Sequence, residues 1–99
     1  MDRTLVVKQE AQEDMVDAYL YYEEQQEGLG ERFLAEVNKR LDDLSTQPEY
    51  YGFIDDRKIL RDVALIAFPY VLIYRIVASE VRVHAVFHTG KDPAGKYRG

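Results

Sequence analysis

The sequence predicts an α+β fold: an N-terminal strand, an α-helical hairpin, then a three-stranded antiparallel meander with the helices packed on one face of the sheet. Three observations carry this. Apolar residues recur at helical spacing from about residue 10 to residue 47. β-branched and aromatic runs crowd residues 59 to 88. The connectors between those runs are too short to hold crossover helices, so the strands must return antiparallel.

The first element is the short β-rich run Thr4 to Lys8. From Glu10 the period changes. Ala11, Met15, Ala18, Tyr19 and Tyr22 share one helical face, with Glu13, Asp14, Asp17, Glu23 and Glu24 between them, which predicts an amphipathic helix ending near Gln26. Gly28 and Gly30 supply the permissive backbone of a tight link. A second helix follows, with Phe33, Leu34, Val37, Leu41 and Leu44 on its stripe and Glu31, Arg32, Glu36, Lys39, Asp42 and Asp43 facing away. It stops before Pro48, and the short link makes the two helices antiparallel neighbours.

After a loop from Glu49 to Asp56, strands are expected over Ile59 to Ala67, Tyr70 to Val77 and Val81 to His88. In the last run Val81, Val83, Ala85 and Phe87 alternate with Arg82, His84, Val86 and His88, which assigns the first set to the face under the helices. The end, Thr89 to Gly99, is punctuated by Gly and Pro and predicted irregular.

A chain of 99 residues makes one domain, 1–99, whose chemistry must sit on its surface or in a shallow groove. With 46% hydrophobic and 31% charged residues it lies well inside the globular range, so a folded state is expected. The absence of cysteine excludes disulfides, zinc-thiolate sites and thiol nucleophiles, and fits a cytoplasmic location. The only early apolar run, Leu5-Val6-Val7, falls far short of the roughly 20 residues of a membrane span, so no membrane partner is expected.

The net charge of −5 conceals a division. Residues 1–56 hold 5 Lys+Arg against 15 Asp+Glu, and residues 57–99 hold 8 against 3. Such asymmetry suggests either two surfaces with different roles or acidic helices solvating one side of the fold.

Several local signatures run in order along the chain. They are Ala11-Gln12-Glu13-Asp14-Met15 with Tyr19, Tyr21 and Tyr22; Gly30 with Phe33; and Leu44 before Pro48. Then come Leu60-Arg61, the run Phe68-Pro69-Tyr70-Val71-Leu72-Ile73-Tyr74-Arg75, Val86-Phe87-His88, Asp92-Pro93 and Tyr97-Arg98. No single element is specific, but the ordered set spans nearly the whole chain and resembles the RelE/ParE superfamily of toxins, in particular its plasmid-stabilisation members from type II toxin-antitoxin pairs.

That resemblance implies one of two activities on a shared fold: ribosome-dependent cleavage of messenger RNA, or inhibition of DNA gyrase by binding. Cleavage needs a group to activate the 2′-hydroxyl, a donor for the leaving oxygen and cations for the developing charge. Aligned through Tyr70-Val71-Leu72-Ile73-Tyr74, the arginine that RelE-type nucleases carry after the leading aromatic is Val71 here, and their two lysines on the preceding strand fall near Asp62 and Ala64. The expected reading is therefore a ParE-like toxin that harms by binding and uses no cofactor. The alternative is a ribosome-dependent endoribonuclease using Arg61, Arg75, His88 and Tyr97, with ribosome and mRNA as partners. A third is an inactive member that only binds its antitoxin.

His84 and His88 share a face by the alternation above. Two histidines without a carboxylate pair are weak as a metal site, and a general base or plain hydrogen-bonded strand residues are the other readings; the last is preferred, and no metal is expected. In the basic tail, Lys91, Lys96, Tyr97 and Arg98 suit contact with a target protein or a phosphate, against the alternative of a solvated end. Tyr50 and Tyr51 are expected to pack at an edge. Resemblance further implies a cognate antitoxin covering a strand edge or the groove beside the helices, and leaves a homodimer or a toxin–antitoxin hetero-oligomer open as the assembly.

Overall fold

The computed structural model describes residues 3–91. The elements are β1 (Thr4–Val7), α1 (Gln9–Gln25), α2 (Leu29–Thr46), β2 (Arg61–Ala64), β3 (Tyr70–Val77) and β4 (Glu80–His88), with single 3-10 turns at Pro48–Tyr50 and Thr89–Lys91. The expected α+β arrangement holds. Its four strands form one mixed sheet in the order β1-β4-β3-β2, with β1 parallel to β4 and the meander antiparallel.

The hairpin link works as its glycines suggest. Gly28 sits at φ 87°, the left-handed region that favours glycine, and caps α2. A Cβ on Gly30 would come 2.6 Å from the Tyr19 carbonyl oxygen, so only glycine allows the helices so close. Glu23, at the end of α1, accepts hydrogen bonds from the amides of Gly28 (3.2 Å), Gly30 (2.8 Å) and Glu31 (3.3 Å). These are amides that a helix start leaves without intrahelical partners, and a carboxylate there also meets the positive end of the helix dipole.

The helices cover one face of the sheet, hereafter the front. Phe33, Val37, Leu41 and Leu44 of α2 and Ala11 and Ala18 of α1 bury against Val63, Leu72, Tyr74, Val81, Val83 and Val86. Phe33 anchors an aromatic group, with ring centroids 5.4 Å from Phe68 and 5.1 Å from Tyr70, while Tyr22 lies 4.9 Å from Phe68. Tyr74 is wholly buried and donates its hydroxyl to the Pro48 carbonyl at 2.6 Å, tying β3 to the end of the helical layer.

Two expectations are corrected. The strand expected over Ile59 to Ala67 is only Arg61–Ala64. Asp55 Oδ1 accepts from the amides of Ile59 (2.9 Å) and Leu60 (3.0 Å), which ties those residues back to the loop before the strand. At the other end the Glu36 carboxylate of α2 takes the amides of Ile66 and Ala67 and diverts the chain from the ladder. The alternation along β4 also breaks. Ile73 pairs with Ala85 and Tyr74 with Val83, so His84 is an extra residue in a β-bulge. Beyond it the faces exchange: Val86 joins the front core, whereas Ala85 and Phe87 pack on the reverse. His84 and His88 consequently do not form a same-face pair.

Candidate functional site

The back of the sheet divides into two halves. Val71, Ile73 and Ala85 form a small buried cluster, closed over by Ile54 and Leu60 from the loop before β2 and by Phe87. Register places Asp62 beside Ile73 and Ala64 beside Val71 on this same face. The positions where resemblance would put a nuclease's cations thus hold an apolar cluster, a methyl and a carboxylate. Towards β1 the face is charged, with Arg75 directly opposite Arg82 and His84 in the bulge. Burial first, then Arg75, Lys8 and Arg82, hold His84 below its ordinary value of 6.5, with Glu10 acting the other way.

The candidate nuclease residues lie apart. Arg61 donates to the carbonyls of Glu49 (3.2 Å) and Tyr51 (2.5 Å) and stacks 3.9 Å over the Phe53 ring, so its guanidinium holds the loop. Arg75 is on the back. His88 is on the front, edge-to-face with Tyr70 at 5.0 Å, and its Nδ1 accepts from the Gly90 amide at 3.0 Å. Arg61 and His88 pair with Tyr74 and Tyr70 respectively, which are roughly 13 Å apart along β3. Tyr97 lies outside the described residues. So do Lys96 and Arg98 of the proposed target-binding tail; the backbone of Lys91 closes the last turn, and its side chain is likewise not described. Tyr50 is 78% exposed and meets Tyr51 edge to face at 5.1 Å, while Tyr51 packs on the front core.

One feature went unread in the sequence. β1 ends at Val7, opposite Val83, so among the described residues β4 runs on from His84 without a strand on that side. Asp14 of α1 fills part of the gap by accepting the Val86 amide at 3.0 Å. A groove of about 510 Å3 opens there, lined by Asp14, Asp17, Tyr21, Tyr70, Phe87 and His88 among others. Burial pushes the Asp14 carboxyl up, the Val86 amide opposes this, and Asp17, Glu10 and Glu13 add to it. In the groove wall, burial and the neighbouring Tyr22 push the Tyr70 hydroxyl up to about 12. Helical periodicity places Asp14 between the apolar positions of α1 and says nothing of a strand that stops short.

Among the described residues no three of His, Asp or Glu gather as a metal site, and no helix is long and apolar enough to cross a membrane.

A helical hairpin laid over one face of a four-stranded mixed sheet, with the reverse face only partly covered, defines the RelE/ParE class of fold. Within it, the family model for the ParE toxin of the type II toxin-antitoxin system, parDE, matches residues 5–93, and the chain belongs to that family. Among solved structures it is similar to a chain of the chromosomal ParDE TA system from P. aeruginosa, with a TM-score of 0.78 over 87% of this chain and 95% of that one. At 14% identity that likeness speaks to the fold. No curated protein sequence matches.

Proposed function

We propose that this protein is a growth-inhibiting toxin that acts by binding its target, that DNA gyrase is that target, and that a cognate antitoxin neutralises it in the cytoplasm. The observation that carries this is the apolar middle of the back face. Val71, one of the three positions where phosphodiester cleavage would demand a positive side chain, is buried with Ile73 and Ala85, and the other two carry Asp62 and Ala64. Each missing cation of that kind is worth a few kcal/mol of barrier. Arg61, Arg75 and His88, which would have to substitute, stand on different faces or ends of the sheet. The whole chain acts as one domain in this reading, and the antitoxin is the partner through which it is silenced.

Supercoiling assays with purified gyrase test the target directly: added protein should inhibit supercoiling, and the antitoxin should restore it. Primer extension on ribosome-bound messages should show no new cleavage; cuts would overturn the binding mechanism in favour of a nuclease. If expression leaves a sensitive host growing normally, the chain is an inactive member that only binds antitoxin. Replacing Lys91, Lys96 and Arg98 together by Ala should abolish growth inhibition while shifting the melting transition little. Retained toxicity would place the working surface elsewhere.

A further inference from the structure

Beyond the apolar cluster, the open half of the back face brings Arg75, Arg82, His84 and Lys8 together. Arg75 and Arg82 are direct cross-strand partners, and like charges so placed destabilise a sheet. The bulge adds His84, whose surrounding charges are Arg75, Lys8, Glu10 and Arg82. Arg75 Nε and His84 Nε2 are buried and have no hydrogen-bond partner. Protein interiors seldom leave such groups unpaired.

The carboxylates of Glu80 and Glu10 do not complete the patch. Glu80 is engaged by Arg82 Nε at 2.8 Å. Glu10 is exposed, in the first turn of α1. Among the described residues no ion pair to Arg75 occurs. What is lacking is an acceptor with several oxygens that can take donors arriving from two strands and a bulge at once. A planar carboxylate presents its oxygens in one plane and carries a single charge. A phosphate presents them tetrahedrally, and guanidinium groups bind it by charge-assisted hydrogen bonds.

We propose that Arg75, Arg82 and His84, with Lys8 at the rim, form a binding site for a phosphate group on the back face of the sheet. The site stands independently of the gyrase reading. Free phosphate and a nucleic-acid backbone share this chemistry, and the experiment separates them. Of the residues of the nuclease alternative the site shares only Arg75; Arg61 and His88 pair elsewhere along β3.

The test is an NMR titration of the full chain with inorganic phosphate, and in parallel with a short duplex oligonucleotide. Phosphate should shift the amides around residues 75, 82 and 84 and move the His84 imidazole titration upward, since a nearby anion favours the charged ring. Arg75→Gln should weaken binding about tenfold or more, the scale of one charge-assisted hydrogen bond. If that variant fails to fold, Arg82→Gln provides the same comparison. Tighter binding of the oligonucleotide at the same amides identifies a nucleic-acid backbone as the source; binding of inorganic phosphate alone identifies a small phosphate ligand. The assignment is overturned if chloride at equal ionic strength gives the same shifts, or if both folded variants bind like the parent. It is overturned too if a poly-aspartate peptide binds these amides more tightly than either phosphate probe, which would make the ligand an acidic protein segment.

Discussion

The two faces of the sheet are built from the same strands by alternation, yet they differ in what closes them. The front has two helices over it and holds the large buried side chains Phe33, Leu44, Leu72 and Tyr74. The back has one loop over one half, sealing Val71, Ile73 and Ala85, and leaves the other half to Arg75, Arg82 and His84. Part of the charge asymmetry of the sequence follows this division, with the acidic helices in front and Arg75 and Arg82 behind. A sheet covered on one side is free to carry chemistry on the other, and here that side is only half apolar.

If stability resides in the front, Phe33→Ala should be the most damaging change, costing about 3–5 kcal/mol in urea unfolding, since it empties the centre of the aromatic group. Ile73→Ala, equally buried but in the smaller cluster under a loop that can settle inward, should cost about 2 kcal/mol; an equal or larger loss would break the comparison. Tyr74→Phe keeps the ring and leaves the Pro48 carbonyl without its donor, and about 1–2 kcal/mol is expected in the same assay. The smallest effect belongs to the charged half of the back. His84 is held below 6.5 in the folded state, so the unfolded chain takes up its proton first. Stability should therefore fall as pH drops through 6.5, and level off once the folded imidazole is charged. His84→Gln should remove that part of the slope, measured as the difference between the two proteins' unfolding midpoints across this range.

Much of the fold was legible because it rests on local periodicity. The helical stripe of Phe33, Val37, Leu41 and Leu44, the glycine link and the order of the meander all follow from residue spacing. The ends of β2 were not, because they are set by distant partners: Glu36 reaches across from α2, and Asp55 folds back on the two residues before the strand. The bulge was illegible for a different reason. One inserted residue in an alternating run looks like any other member of it, and the pairing that skips His84 exists only between strands. That single step moved Val86 and His88 to the front and separated the residues that had looked like one basic site. Of the candidate surface, the loss of cations at Val71, Asp62 and Ala64 could be read in advance; the burial of Val71 could not.

The carboxylate that Asp14 lays on the Val86 amide has one more consequence. An unpaired strand margin is where copies of a chain add to one another and grow into fibrils. With Asp14 seated there and Asp17 beside it, an incoming strand would have to dislodge one acid and approach a second, so the stretch of β4 beyond the end of β1 is guarded against self-templating.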